Sequence, residues 1–197
     1  LPIAAAVPTM ERWLPAFPPH GSRHPMEIRM LDRGDAAAYH ALRLQALRES
    51  PHAFSASHDE EAGRSIGDVA ARIAPAADGS VCVFGLFEDG GLAGIVALIH
   101  PQRQKLRHGA ELAGMYVAPA YRRRGLGSVL LRAVIAHTRS IEGVCQLALS
   151  VNKANAAAQA LYRLLGFASW GVQPRALRID GAFHDEEHLL LCFDAVD

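Results

Sequence analysis

The sequence predicts an α/β (α+β) fold built as a single domain. Strand-like and helix-like patterns alternate along the chain without internal repeats, which is typical of a sheet packed against helices. Asp89-Gly90-Gly91 separates two apolar runs as the turn of a hairpin does. A length of 197 residues, 50% of them apolar, suits one domain with a sizeable core.

The first residues differ in composition from the remainder. Residues 1–25 are rich in proline, and we expect them to form an extension outside the core, followed by one domain at residues 26–197. Two alternatives stay open for this extension. Either the natural chain starts directly after it, or it docks onto the domain through Trp13, Leu14 and Phe17.

The predicted elements follow in alternation. The first helix, at residues 35–49, has an apolar stripe formed by Tyr39, Leu42, Ala46 and Leu47. Asp180-Gly181 predicts the turn before the last strand. The predicted strands are residues 27–31, 81–88, 92–100, 111–117, 144–151, 167–173 and 187–193, and the further helices are residues 66–74, a helix opening at 126, and residues 156–165.

A basic turn follows the fourth strand. Residues 122–127, Arg-Arg-Arg-Gly-Leu-Gly, separate the apolar residues 112–117 from a helical pattern that begins at Leu126. Glycine lets the backbone approach a ligand, and the first N–H groups and the dipole of the helix attract an anion. This arrangement favours a phosphorylated cofactor.

Two common phosphate sites are excluded by what is missing. A Walker A loop has Lys and then Ser or Thr after its second glycine, whereas Gly127 is followed by Ser128 alone. A dinucleotide fingerprint has a third glycine where this chain has Leu130. The pattern Arg-x-x-Gly-x-Gly remains.

A second strand, turn and helix lie downstream. Residues 147–151 form an apolar run, residues 152–155 a turn with Asn155 as a helix cap, and Gly166 ends the helix. Asn155 and Tyr162 are about two helical turns apart, so they share one side of this helix.

The two segments together resemble the GNAT superfamily of acyl-CoA-dependent N-acyltransferases. The matching residues are Met115-Tyr116-Val117, residues 122–127, and residues 155–162 with Gly166-Phe167. The resemblance implies a mixed, mostly antiparallel central sheet flanked by helices, with strands 4 and 5 splayed to admit CoA. It also implies an N-acetyltransferase that moves an acetyl group from acetyl-CoA to a primary amine by direct attack in a ternary complex.

The resemblance also implies roles for individual residues. Backbone N–H groups near Met115 and Val117 would hold the pantetheine arm and polarise the thioester carbonyl. Tyr162 would protonate the leaving thiolate, although an aromatic residue here also suits core packing. The expected cofactor-binding residues are Met115, Tyr116, Val117, Arg122, Arg123, Arg124, Gly125, Leu126, Gly127, Ser128, Asn155 and Tyr162.

The general base is open. Ribosomal-protein alanine acetyltransferases carry a glutamate on the fifth strand where this chain has Ser150. Glu111 is the first candidate, because it alternates onto the same face as Met115 and Val117 unless a bulge intervenes. The other candidates are Glu186, Glu187 and water.

Composition limits the partners. The 20 basic residues balance the 20 acidic ones, which gives no support for nucleic acid or a membrane surface as a partner. We expect a small-molecule or peptide amine as substrate, and a monomer or homodimer. A catalytically silent acyl-CoA-binding sensor or scaffold of the same fold is the alternative function.

The cysteines and histidines predict no metal site. Cys82, Cys145 and Cys192 are odd in number and lack C-x-x-C spacing, so we expect buried, reduced residues in strands. The histidines show no paired ligand spacing. Reduced cysteines and no pattern of a secretory signal predict a cytoplasmic protein.

Overall fold

A computed structural model of the chain describes residues 25–193. The predicted extension at residues 1–25 lies outside the described residues except for Pro25, as do the contacts expected of Trp13, Leu14 and Phe17.

Seven strands form one sheet: β1 Glu27–Met30, β2 Val81–Glu88, β3 Gly91–Ile99, β4 Gly109–Val117, β5 Gln146–Asn152, β6 Ala168–Ile179 and β7 Ala182–Cys192. Their order in the sheet is β1-β2-β3-β4-β5-β7-β6. All neighbours are antiparallel except β4 and β5, which run parallel. The predicted fold class, a mixed and mostly antiparallel sheet flanked by helices, is confirmed.

The helices cover both faces of the sheet: α1 Ala36–Glu49, α2 His58–Ala62, α3 Ile66–Ile73, α4 Leu126–Arg139 and α5 Ala156–Leu164. One core, under α1 and α3, joins Leu47 and Ile73 to Ile95 of the sheet. The other core, under α4 and α5, joins Leu130 to Leu147. The sheet therefore separates two apolar layers. A gap between β4 and β5 connects the two faces of the sheet.

Helix α2 was not predicted. It has five residues, and its start is marked by Ser57 and Glu60, whose side chains bond each other's backbone N–H groups as a capping box. A polar helix of this length shows no apolar periodicity, so the capping box was its only sequence signal.

Strands β6 and β7 are longer than predicted. The expected end of β6 at residue 173 coincides with an irregularity between Gln173 and Leu177, where Arg175 has φ +55°. Pro174 interrupts the pattern there, but the edge strand continues past it. The predicted turn at Asp180-Gly181 is confirmed.

A β-bulge interrupts β4 at Gly114. The pairing with β3 advances from Ala97 opposite Ala113 to Ile95 opposite Tyr116, so β4 contains one extra residue. Gly114 has φ +63°, a conformation that glycine adopts without strain.

The bulge changes which side chains of β4 share a face. Glu111 and Tyr116 lie on the face that carries α1, whereas Met115 and Val117 lie on the face that carries α4. The expectation that Glu111 shares a face with Met115 and Val117 is therefore wrong, because it required an uninterrupted strand.

The cysteines only partly follow the prediction. Cys82 is buried in β2, and burial raises the pKa of its thiol to about 11. Cys145 and Cys192 are exposed instead of buried, and Cys145 precedes β5. All three are free thiols.

Candidate active site

Strands β4 and β5 pair only at their starts. Residues 109–111 pair with residues 146–148, and beyond that point the strands diverge. The predicted splay between the fourth and fifth strands is confirmed. Residues 112–117 consequently have no strand partner on the β5 side, which leaves backbone N–H and C=O groups there for a ligand.

A cavity of about 900 Å³ opens at this divergence. Its lining comes from both faces of the sheet: Arg43 and Phe54 on the α1 side, and Leu161 and Tyr162 on the α5 side. The cavity therefore passes through the sheet, and its size suits a substrate together with the end of a cofactor.

A short 3-10 turn, Pro119–Tyr121, joins β4 to the basic turn, which leads directly into α4. Gly125 caps α4 with φ +76°, a left-handed conformation that strains other residues. None of the N–H groups from Arg123 to Gly127 donates a hydrogen bond to any of the described residues 25–193. Five consecutive free donors at a helix N-terminus form an anion site.

The three arginines of this turn are not equally free. Arg122 donates from Nε to the carbonyl oxygen of Val117 at 2.8 Å, and its guanidinium lies 5.3 Å from the centre of the Tyr116 ring. Arg124 is paired with Glu88, which is buried. Arg123 is exposed with φ +59°, and no ion pair or hydrogen bond to residues 25–193 involves its side chain.

The anion site adjoins the cavity. A methyl group on Gly127 would lie 3.4 Å from Cδ2 of Leu161 and 3.5 Å from Cε of Met115, and both of these side chains line the cavity. A ligand anchored at the N-terminus of α4 can therefore reach the cavity past Met115 and Leu161.

Tyr162 lines the cavity from α5. It is 7% exposed, and its ring packs edge-on against Phe167 with centroids 5.8 Å apart. Burial raises the pKa of its phenol to about 12, so the phenol holds its proton at neutral pH. No hydrogen bond to another described residue involves its hydroxyl, which is thus available to a ligand.

Two asparagines, one at the end of β5 and one at the start of α5, also line the cavity. Asn155 caps α5, its Oδ1 accepting the Ala158 N–H at 3.1 Å. Asn152 is 4% exposed; its Oδ1 accepts the Ala154 N–H at 2.8 Å, while its buried Nδ2 has no partner among the described residues. We did not predict a role for Asn152, because a turn asparagine has many structural uses.

The candidate bases fall into two groups. Glu111 and Glu186 line the cavity, and neither carboxylate is hydrogen-bonded or ion-paired to residues 25–193. Glu187, in contrast, faces away and accepts two hydrogen bonds from Arg163, at 2.9 and 2.8 Å. Ser150, in place of a glutamate on β5, also lines the cavity.

Tyr116 and Val117 do not line the cavity. The Tyr116 side chain packs under α1, and its hydroxyl donates to Oε2 of Glu49 at 2.6 Å. Burial, together with this carboxylate, raises the pKa of the phenol. Any contact of these residues with a cofactor would therefore run through their backbone.

Arg43 is a cavity residue that sequence reasoning missed. It is 8% exposed on α1, and burial lowers the pKa of its guanidinium. The signal was present, because position 43 falls within the helical stripe formed by Leu42, Ala46 and Leu47. A charged residue on an inner stripe is rare unless it has a partner.

A sheet opened between two parallel strands, an anion site at the next helix and a cavity through the gap define an acyl-CoA-dependent transferase. The chain matches the model of the Acetyltransferase (GNAT) family over residues 12–167, and it belongs to this family. The predicted family, the acetyltransferase class and acetyl-CoA as the co-substrate are thereby confirmed. No curated protein sequence matches the chain.

Several solved structures are similar to this chain. An acetyltransferase of the GNAT family from Streptococcus pneumoniae is 27% identical, with a TM-score of 0.74 over 86% of this chain and 100% of that one. A putative acetyltransferase from Salmonella typhimurium, solved with acetyl-CoA, has 24% identity and a TM-score of 0.71 over 87% and 95%. A ribosomal-protein-alanine N-acetyltransferase from Brucella melitensis has 21% identity and a TM-score of 0.73 over 85% and 99%. The latter two support the fold alone.

Two further findings concern residues 25–193. Within this range, no group of three or more His, Cys, Asp or Glu side chains is placed to hold a metal ion. None of the helices there combines the length and the apolar character needed to cross a membrane.

Proposed function

We propose that this protein transfers the acetyl group of acetyl-CoA to a primary amine by direct attack in a ternary complex. The observation that carries the proposal is the cavity through the sheet. A thioester entering past Met115 and Leu161 and an amine entering from the α1 side would meet at the gap between β4 and β5. Direct attack needs both reactants in contact, as this arrangement allows.

On the donor side, the free N–H groups of residues 123–127 bind the pyrophosphate of CoA, helped by Arg123. Backbone N–H groups of β4 near Met115 and Val117 hold the pantetheine arm and polarise the thioester carbonyl. Asn155 contacts the pantetheine amides through the amide nitrogen that its capping bond leaves free.

The chemical step moves two protons. The acceptor ammonium loses one proton to a cavity carboxylate, Glu111 or Glu186, directly or through water. The neutral amine attacks the carbonyl carbon, the C–S bond breaks, and Tyr162 protonates the departing thiolate, while the attacking nitrogen gives up its second proton, which restores the phenol through water. A phenol with a raised pKa carries the proton needed for this role.

Thiol release from acetyl-CoA, measured without acceptor and with a panel of amines, tests the proposal. We expect amine-stimulated release, with an N-acetylated product detected by mass spectrometry. Tight CoA binding without release under any condition would instead identify a silent sensor or scaffold.

A further inference from the structure

The α1 side of the cavity contains a buried positive charge without a partner. No hydrogen bond or ion pair to any described residue involves the Arg43 side chain, and its Nε is fully buried. Its guanidinium lies 4.5 Å above the Phe54 ring. Such a cation–π contact offsets only part of the cost of burying an ion.

The nearby carboxylate of Glu61 is already occupied. It is 3% exposed and accepts hydrogen bonds from Arg72 at 2.8 and 3.1 Å, while Arg64 Nε lies 3.1 Å from its Oε2. Arg33 and Arg72 line the cavity together with Arg43. This end of the cavity thus keeps an excess of positive charge.

The same cavity is also lined by two carboxylates. Glu111 and Glu186 have no partner among residues 25–193, and no ion pair joins either of them to Arg43. A cavity with an unpaired guanidinium and unpaired carboxylates is complementary to a small zwitterion, with its ammonium at the carboxylates and its anion at the arginine.

We infer that the acceptor is an amine that carries an anionic group, as an amino acid does, and that Arg43 binds this group. The inference rests on the proposed function, since it names the substrate class of the same cavity. A planar guanidinium matches a carboxylate or a phosphonate with two parallel hydrogen bonds. The guanidinium lies beside the bulge in β4, since a methyl group on Gly114 would be in ordinary contact with Nη1 of Arg43, at 3.5 Å.

Calorimetry on the CoA-saturated protein tests the inference without depending on turnover. The probes are L-alanine, L-methionine and L-phenylalanine, each paired with its primary amide, and 1-aminoethylphosphonate. The proteins are the wild type, Arg43→Met, and Arg48→Met as a matched control, because Arg48 is exposed on the same helix and lies outside the cavity.

We expect the wild type and Arg48→Met to bind at least one acid on the order of 10- to 150-fold more tightly than its amide, and Arg43→Met to lose this preference. The change in this ratio between the wild type and Arg43→Met isolates the arginine, because the difference in amine basicity between acid and amide is the same for both proteins. Tighter binding of the phosphonate than of L-alanine would identify the anion as a phosphonate or phosphate. An equal ratio in wild type and Arg43→Met, or no preference in the wild type, would overturn the inference.

Two further outcomes keep the inference separate from the proposed function. Acid-selective binding that depends on Arg43, without thiol release, would retain Arg43 as the binding site of the anionic group and refute acetyl transfer. Equal acetylation of acids, amides and plain amines would retain acetyl transfer and refute the inference. If Arg43→Met does not fold, Arg43→Lys replaces it; this variant keeps the charge but not the two-pronged contact, and its preference should fall by about tenfold.

Discussion

The two ends of the cavity are formed by different parts of the protein. The donor end, where we propose that acetyl-CoA binds, consists mainly of backbone: the free N–H groups before α4 and the unpaired edge of β4. The acceptor end consists of side chains, such as Arg43 on α1 and Glu186 on β7, which come from distant parts of the chain. A backbone site is set by the fold and serves one common cofactor, whereas a side-chain site can change its substrate by substitution.

The largest expected effect lies where the two ends meet. Replacing Tyr162 by Phe removes only a hydroxyl, so the fold and CoA affinity should persist while the chemical step slows by roughly 10²–10⁴-fold. Single-turnover acetyl transfer measures this step without interference from product release. A rate close to that of wild type would leave Tyr162 as a packing residue, and then Tyr162→Ala should be the damaging change.

The pH dependence of the unfolding free energy tests independently whether the pKa of the Tyr162 phenol is raised in the folded protein. Below the ordinary tyrosine pKa of 10.0, the folded and unfolded chains both hold the phenolic proton. Between 10.0 and about 12 the unfolded chain loses its proton first, so the free energy of unfolding should fall as pH rises. The Tyr162→Phe variant should show a shallower fall in denaturant titrations over this range.

We expect the general base to lie at the acceptor end of the cavity. Of the Glu111→Gln and Glu186→Gln variants, one should lose roughly 10²–10⁴-fold in kcat at neutral pH, because it no longer accepts the ammonium proton. CoA affinity should not change in either variant. If both variants keep the wild-type pH–rate profile, water carries the proton.

A carboxylate placed in the anion site should damage the donor end alone. Gly127→Asp should weaken CoA binding by roughly 10²–10³-fold, because a like charge would face the phosphates. Gly63→Asp is a matched control, since it adds the same charge at an open position directly after α2. Unchanged CoA affinity in a folded Gly127→Asp variant, measured by calorimetry, would refute this location of the phosphate site.

The Asn155→Ala variant separates two possible roles of Asn155: capping of α5 and contact with the cofactor. As a cap alone, Asn155→Ala should lose about 1 kcal/mol of unfolding free energy and leave KM unchanged. As a pantetheine contact, it should raise the KM for acetyl-CoA about fivefold, since a neutral hydrogen bond contributes about 1 kcal/mol. We expect both changes, because the oxygen caps α5 and the residue lines the cavity. Thermal melts and steady-state kinetics on the one variant separate the two effects.

The smallest expected effect concerns the pair between Glu88 and Arg124. Glu88→Gln should release Arg124 towards the phosphates and strengthen CoA binding by up to about fivefold. Glu142→Gln, an exposed position without a described partner, controls for the change in net charge. Weaker binding in Glu88→Gln would show instead that the pair holds the loop in its binding shape.

Sequence reasoning predicted the donor end better than the acceptor end for a physical reason. The basic turn and α5 are contiguous segments whose glycines, caps and periodicity are local signals. The bulge at Gly114 is a tertiary event, because it is defined only by the pairing with β3. It moved Glu111 away from the face of Met115 without any change in the local pattern.

The same limit applies to charges. Three adjacent arginines predicted a positive loop, but the sequence does not show that Glu88, far along the chain, pairs with Arg124. Glu187 was likewise a candidate base until its pairing with Arg163 was seen. Partners distant in sequence decide whether a charge is available, and a single sequence contains no signal for them.

The short pairing between β4 and β5 has a mechanical consequence. Among the described residues 25–193, the pairing of β4 with β5 consists of three residue pairs, with one further hydrogen bond from the N–H of Cys145 to the carbonyl oxygen of His108. The apolar layer under α4 spans that seam, from Phe84 and Val96 on one side to Leu147 and Leu189 on the other. Helix α4 therefore holds the two halves of the sheet together through apolar contacts. The gap between β4 and β5 can widen or narrow as these apolar side chains slide, without breaking the backbone hydrogen bonds between strands on either side.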